Sequence, residues 1–148
     1  MNIAILGAGA WGTALAIALS ARHTVALWVR DPVQARALEG SRCNARYLPE
    51  VALPGSVGVT ASLGTVLERA ALALVVTPTG GLRETLTALR GARPGLPLLW
   101  ACKGFERSSA QLPHEIAAGA HNRHYLETKA RRSGHLLSLA DEPRGEAE

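Results

Sequence analysis

Short runs rich in apolar and β-branched residues alternate along this chain with segments whose composition is typical of helices. The runs predict five strands, at residues 2–6, 24–29, 57–60, 71–76 and 96–100. The intervening and following segments predict helices, at residues 10–21, 32–38, 63–69, 81–90 and 108–118. Alternation of strand and helix is typical of an α/β fold with a parallel sheet.

A glycine-rich turn joins the first strand to the first helix, with the sequence Gly7-Ala8-Gly9-Ala10-Trp11-Gly12. In this spacing the first glycine permits the tight turn, the second lets a pyrophosphate approach the backbone, and the third lets the helix pack closely on the strand. The N-terminus of the helix then favours an anion. The turn predicts a dinucleotide site in a Rossmann-like, doubly wound parallel sheet forming a single domain. The alternative is a glycine turn that serves only packing.

The residues after the second predicted strand bear on which dinucleotide is bound. Arg30 lies at the end of that strand, where an arginine can neutralise the 2′-phosphate of NADP. Asp31 is close enough to accept a hydrogen bond from the free 2′-hydroxyl of NAD. Both cofactors, NADP and NAD, therefore stay open, and the alternative for Arg30 is a solvated charge.

Three further segments are expected near the site. Residues 41–55 have no clean period and two prolines, and this long connection is expected to lie over or beside the nucleotide. The fourth strand ends at Thr77-Pro78-Thr79 and the fifth at Cys102-Lys103-Gly104, at the edge where parallel sheets bind ligands. A lysine there suits a negatively charged substrate or cofactor, and the alternative for Lys103 is a solvated charge.

Composition narrows the class of protein. The 148 residues are enough for one domain, and 14 arginines and 2 lysines give a net charge of +4 without a dense basic block, which disfavours a nucleic-acid partner. No apolar run reaches the length of a membrane span and no secretory signal precedes the first strand, so a cytoplasmic location is expected. Cys43 and Cys102 are predicted to be reduced, and no metal site is predicted.

The composition and the pattern of the sequence change beyond Gly119. Residues 120–148 are polar and show no strand pattern, with a short helix as one option near 125–131. They are predicted to form a divergent, flexible tail after a nucleotide-binding domain at 1–119. The sequence offers no partner ligands for His121 and His124. These two histidines are therefore expected to belong to the flexible tail and not to a metal site.

Several separated stretches are more specific than the glycine motif. They are the Trp-Gly-Thr-Ala-Leu extension at 11–15, the Leu-Trp-Val-Arg-Asp run at 27–31, the Asn-x-x-Tyr-Leu-Pro segment at 44–49 and the Lys-Gly pair at 103–104. Together they resemble the bacterial NAD(P)-dependent glycerol-3-phosphate dehydrogenases, over residues 1 to about 119. The resemblance disfavours another Rossmann dehydrogenase, such as a hydroxyacid enzyme.

The resemblance implies a reversible hydride transfer between NAD(P)H and dihydroxyacetone phosphate, which gives sn-glycerol 3-phosphate for phospholipid synthesis. It implies cofactor contacts at Gly7, Gly9, Ala10, Trp11, Gly12, Arg30, Tyr47, Pro78 and Lys103. Lys103 is also implied to reach the substrate. Ala10 stands where the family commonly has serine, and Pro78 is flanked by threonines where the family has valine and serine.

Members of the family are longer and carry a second, helical domain with the general-acid lysine. Reduction of a ketone needs a proton donor at the developing alkoxide, and Lys129, the other lysine, lies outside the resemblance. No catalytic residue is therefore assigned. The expectation is a truncated, nucleotide-binding half-enzyme with little or no turnover, whose exposed cleft favours self-association. The alternative is a stand-alone NAD(P)-binding module or an inactive remnant.

Overall fold

The computed structural model describes residues 1–120 and 125–127. Within them the chain forms eight strands: β1 Asn2–Leu6, β2 Thr24–Trp28, β3 Cys43–Asn44, β4 Leu48–Ala52, β5 Gly58–Thr60, β6 Leu72–Val75, β7 Leu98–Trp100 and β8 Tyr125–Glu127. The same residues form five helices: α1 Ala10–Ser20, α2 Pro32–Ser41, α3 Leu63–Leu67, α4 Thr79–Ala92 and α5 Pro113–Ala120. The predicted alternation of strand and helix is confirmed.

Six of the strands form one parallel sheet in the order β5-β2-β1-β6-β7-β8. In β1, Ile3 lies opposite Val25 of β2 on one side and opposite Leu72 of β6 on the other. The order reverses between β1 and β6, because the chain first winds outward to β5 and then crosses back. Ligands of doubly wound sheets bind in the crevice that opens at such a reversal, beyond the carboxyl ends of the strands. The predicted fold class is confirmed.

The sheet is buried on both faces, and β1 shows how. Its side chains alternate, so Ala4 and Leu6 enter the core on one face while Ile3 and Ile5 enter the core on the other. Helices α3, α4 and α5 cover the first face, and α1 and α2 cover the second. The three leucines expected to form the buried side of α4 are fully buried in the first core: Leu82, Leu86 and Leu89.

Helix α2 shows how local sequence sets the ends of an element. Asp31 caps its N-terminus, since the carboxylate accepts a hydrogen bond of 2.8 Å from the backbone N–H of Val33. The helix passes its expected stop at Gly40 and ends at Ser41. Arg42 supplies the stop instead, because it adopts a left-handed conformation with a φ of 52°.

Two segments expected to be irregular or helical differ in the structure. The connection at 41–55 contains regular structure, since β3 and β4 pair there as an antiparallel hairpin with a shift in register. β3 has only two residues, which is too short to show an alternating pattern of apolar and polar positions in the sequence. The helix expected from residue 108 begins only at Pro113, because Ala110 is left-handed with a φ of 55° and its N–H bonds back to the carbonyl oxygen of Glu106 at 2.8 Å.

The expectation that no strand follows Gly119 is wrong. β8 joins the edge of the sheet parallel to β7, with Leu98 opposite Tyr125 and Trp100 opposite Glu127. Three residues suffice for an edge strand, and a segment of that length shows no period in the sequence. The strand also replaces the start of the helix considered at 125–131. The rest of that segment, the histidines at 121 and 124, and most of the predicted tail lie outside the described residues.

Candidate functional site

The glycine turn lies between β1 and α1, at the crevice. Gly7 has a φ of 122°, and a β-carbon there would come within 3.0 Å of the carbonyl oxygen of Val76. A β-carbon on Gly12 would meet the carbonyl oxygen of Gly7 at 1.8 Å. Gly9 differs, since nothing lies within 4 Å of the position its β-carbon would take. The protein's own packing therefore requires Gly7 and Gly12, whereas Gly9 leaves room in front of the helix.

Helix α1 begins at this open space. No side chain caps its N-terminus at Gly9, so the N–H groups of the first turn are available to an anion. Ala10 and Trp11 stand on that turn, and Trp11 is 71% exposed. A large apolar residue exposed beside an uncapped helix N-terminus is suited to contact with a ligand.

The β3–β4 hairpin is joined to the glycine turn by Asn44. This buried residue donates its side-chain amide to the carbonyl oxygen of Ala8 at 2.9 Å and to the hydroxyl of Thr13 at 2.7 Å. Tyr47 lies in the turn of the hairpin, where its ring centroid is 5.1 Å from the guanidinium carbon of Arg46. The structure thus brings the expected site residue Tyr47 to the edge that carries the glycine turn. Sequence reasoning quoted Asn44 within a motif but gave it no role.

Arg30 follows β2, and its guanidinium lies 3.5 Å from the carboxylate of Glu84 on α4. Both side chains are mostly exposed, at 73% and 76%. Because β2 and β6 lie on opposite sides of β1, and α4 follows β6, this ion pair joins the two sides of the crevice. Sequence reasoning missed Glu84, since a charged residue on a helix surface gives no sign of a partner on a distant strand.

The segments that follow β6 and β7 are tied together. Pro78 precedes the first turn of α4, and Thr79 on that turn donates its hydroxyl to the carbonyl oxygen of Lys103 at 2.7 Å. The thiol of Cys102 donates to the carbonyl oxygen of Thr77 at 2.9 Å, and burial raises the pKa of this thiol. Lys103 is thereby held by its backbone, while the residue is exposed at the edge of the sheet.

A buried carboxylate holds the loop after Lys103. Glu106 is 5% exposed, accepts a hydrogen bond of 2.8 Å from Arg83 on α4, and accepts another of 2.5 Å from the hydroxyl of Ser109. The side-chain carbonyl of Gln111 accepts from the same guanidinium at 2.5 Å. Hydrogen bonds from Arg83 and then Ser109 hold the pKa of Glu106 below its ordinary value. Sequence reasoning missed this cluster, because the burial of Glu106 depends on its partner on α4.

Glu106→Gln is expected to make the free energy of unfolding less sensitive to acid. Because the pKa of Glu106 is lower in the folded protein than in the unfolded chain, the ionised carboxylate stabilises the fold at neutral pH. That stabilisation is lost as the pH falls below about 5 and through the folded pKa. The variant should therefore be less stable than wild type at neutral pH, and the difference should shrink with acid.

Urea unfolding at a series of pH values measures this difference. Glu39→Gln, at an exposed carboxylate on α2, is the matched control and should show no such convergence. A difference between Glu106→Gln and wild type that stays constant with pH would contradict the ion pair described above.

Neither a membrane span nor a metal centre is found in the part of the chain that the structure describes. Over residues 1–120 and 125–127, no helix is long and apolar enough to cross a bilayer. In the same ranges no three His, Cys, Asp or Glu side chains are grouped so as to hold a metal ion. Cys43 and Cys102 are both free thiols.

The described residues and the sequence match a known family. The family model described as the N-terminus of NAD-dependent glycerol-3-phosphate dehydrogenase matches residues 2–128. The chain belongs to this glycerol-3-phosphate dehydrogenase family. The match confirms the resemblance expected from the sequence and extends it beyond residue 119, so that β8 is included.

Individual members of the glycerol-3-phosphate dehydrogenase family agree with this match. The NAD(P)+ enzyme of Nitrosomonas europaea is 54% identical over 116 residues, which are 78% of this chain and 35% of that protein. The enzyme of Aromatoleum aromaticum is 51% identical over 118 residues, 80% of this chain and 36% of that protein. The solved structure of the Coxiella burnetii enzyme is 30% identical with a TM-score of 0.78, and the match covers 85% of this chain and 39% of that chain. The chain thus spans about a third of the length of these curated relatives.

Proposed function

We propose that this chain is the cofactor-binding part of an NAD(P)-dependent glycerol-3-phosphate dehydrogenase, which transfers a hydride reversibly between NAD(P)H and dihydroxyacetone phosphate. The observation that carries the proposal is the space in front of Gly9, where a β-carbon would meet nothing within 4 Å, at the uncapped start of α1. A pyrophosphate fits there, because backbone N–H groups and the helix dipole attract an anion. The family match supports the same cofactor.

The other expected residues are proposed to line the crevice along one extended cofactor. Trp11 and Tyr47 are proposed to cover the pyrophosphate, and Arg30 to face the adenosine ribose. Pro78 and Lys103, after β6 and β7, are proposed to line the nicotinamide end. The bound nicotinamide supplies or accepts the hydride. The Lys103 ammonium offers a positive charge to the substrate at this edge.

We further propose that these 148 residues alone give little or no turnover. Reduction of a ketone needs a proton donor at the developing alkoxide as well as a hydride. Within residues 1–120, Lys103 is the single lysine, and it is assigned to binding. The matched segment is about a third of each relative named for the activity. A stand-alone cofactor-binding module would bind the cofactor equally well. The two alternatives differ when the rest of the enzyme is supplied, because only a part of a dehydrogenase would then gain activity.

Association with a second copy of the chain stays a prediction, as does a cytoplasmic location. Trp11 and Phe105 follow β1 and β7, which end at the same edge of the sheet, and they are 71% and 64% exposed. Exposed apolar residues at one edge favour association.

Glu84→Gln is expected to tighten NADPH binding about threefold and to leave NADH binding unchanged. The Glu84 carboxylate pairs with Arg30 at 3.5 Å, so a 2′-phosphate has to compete with it. Both groups are exposed, and the effect of such a pair is therefore limited to a few-fold. Isothermal titration with each cofactor measures it. Glu68→Gln, at an exposed carboxylate after α3, is the control, and equal changes for NADPH and NADH would contradict the competition.

The test of the proposed function is a titration of the purified chain with NADPH and NADH, followed by an assay with dihydroxyacetone phosphate on the same sample. Trp11 supplies a signal, because acrylamide quenching of tryptophan emission should fall when the cofactor covers it. Trp11→Phe should remove most of that signal, since Trp28 is half-buried and Trp100 is buried. Binding without turnover is the expected result. Failure to bind either cofactor overturns the proposal, and sustained oxidation of NADPH overturns the claim of little turnover.

A further inference from the structure

Asn44 is a buried polar residue on β3, outside the main sheet. It is 4% exposed, and its amide nitrogen donates to the carbonyl oxygen of Ala8 at 2.9 Å and to the hydroxyl oxygen of Thr13 at 2.7 Å. Both hydrogens of the amide are thereby used. Burial of an amide is unfavourable unless it is hydrogen-bonded, so these two contacts account for a polar side chain at this place.

The two acceptors stand on either side of Gly9. Ala8 immediately precedes it, and Thr13 lies one turn into α1, where its backbone N–H donates to the carbonyl oxygen of Gly9 at 3.0 Å. The Asn44 amide therefore bridges the glycine turn to the first turn of the helix. It does so from the buried side, whereas the β-carbon position of Gly9 faces open space.

The hairpin that carries Asn44 is itself held in place. Arg42, which ends α2, donates its guanidinium to the carbonyl oxygens of Val57 at 2.8 Å, of Leu53 at 3.4 Å and of Pro54. The backbone N–H of Leu53 donates in return to the carbonyl oxygen of Arg42 at 2.7 Å. These contacts hold the two ends of the hairpin together, and they thereby hold the backbone of Asn44 in place.

We propose that Asn44 is a positioning residue for the diphosphate part of a dinucleotide. It sets the separation between the carbonyl group of Ala8 and the first turn of α1, and with it the direction of the N–H groups offered to a diphosphate. It makes no contact with the phosphates. The inference rests on the proposed binding of NAD(P), and it predicts an effect confined to ligands that contain the diphosphate.

Asn44→Leu tests this role, because leucine has a similar volume and shape but donates no hydrogen bond. ADP-ribose is expected to bind about tenfold more weakly to the variant, a loss typical of one buried hydrogen-bonded contact. Adenosine 2′-monophosphate, which lacks the diphosphate, is expected to lose less than about twofold. Isothermal titration of both ligands gives the ratio of their affinities. A role in folding alone would lower the melting temperature and leave that ratio unchanged.

Thr13→Val is a second, milder test of the same role. It removes one acceptor at nearly constant size, keeps the bond from Asn44 to Ala8, and is expected to lower ADP-ribose affinity selectively by about threefold. An unchanged ratio in folded Asn44→Leu overturns the inference. If circular dichroism shows that Asn44→Leu does not fold, an unchanged ratio in Thr13→Val overturns it instead. If wild type binds ADP-ribose and the variants bind it equally well, only the inference fails; if wild type binds no dinucleotide, the proposed function fails with it.

Discussion

Gly12→Ala is expected to lower the free energy of unfolding by about 3 kcal/mol and to abolish measurable binding of NADPH and NADH. The added β-carbon would lie 1.8 Å from the carbonyl oxygen of Gly7 and 3.0 Å from the side chain of Val76. Helix α1 therefore has to move away from β1 and β6, and its first turn no longer faces the crevice. Urea unfolding measures the stability, and titration with each cofactor measures the binding.

Gly9→Ala is the control within the same turn. Its β-carbon would meet no atom within 4 Å, and Gly9 has a φ of −74°, which alanine adopts without strain. Its free energy of unfolding should therefore change by less than about 1 kcal/mol. The methyl group would nevertheless enter the space proposed for the pyrophosphate. A Gly12→Ala protein as stable as Gly9→Ala would contradict the close packing of α1 on the sheet.

Arg30→Asp is expected to weaken NADPH binding about 100-fold and NADH binding less than threefold. The substitution removes a cation that is proposed to bond the 2′-phosphate, and a charge-assisted bond of that kind accounts for most of a hundredfold change. The new carboxylate also stands near that of Glu84, which adds repulsion toward the phosphate. NADH has no 2′-phosphate, and an aspartate can accept a hydrogen bond from its hydroxyl. Isothermal titration with both cofactors measures the two losses.

Arg22→Asp makes the same change of net charge at the other end of β2. Arg22 is exposed and lies before the start of the strand, whereas Arg30 follows its end. The control should alter both affinities equally and by less than about threefold, through long-range charge alone. Equal losses of NADPH and NADH in Arg30→Asp would show that Arg30 does not contact the 2′-phosphate.

Much of the fold was predictable from local pattern. Each of the first five parallel strands lies in a short run rich in apolar and β-branched residues, and each is followed by a turn or helix signal that does not depend on distant residues. β8 was not predicted, because a three-residue edge strand shows no pattern of its own and its pairing with β7 is seen only in the folded sheet. The hairpin of β3 and β4 was not predicted for a related reason, since Asn44 on β3 is hydrogen-bonded to Ala8 and Thr13 in another part of the chain.

The residues of the candidate site were likewise predictable only in part. Arg30 and Lys103 were predictable as edge residues, because parallel strands end at one edge of the sheet and each residue follows a strand. The roles of Asn44, Glu84 and Glu106 were not, because each depends on a contact with another element. A buried carboxylate such as Glu106 has the same sequence appearance as a solvated one, and its ion pair with Arg83 appears only in the fold.

Thr79 and Arg83 stand four residues apart on α4, and each binds a different part of the segment after β7: the carbonyl oxygen of Lys103 and the carboxylate of Glu106. Pro78 leads directly into the same helix. A shift of α4 along the sheet would therefore carry Pro78 and Lys103 together and preserve the distance between them. The two residues proposed to line the nicotinamide end are thus both tied to α4, and we expect these contacts, and not the width of the crevice, to set their spacing.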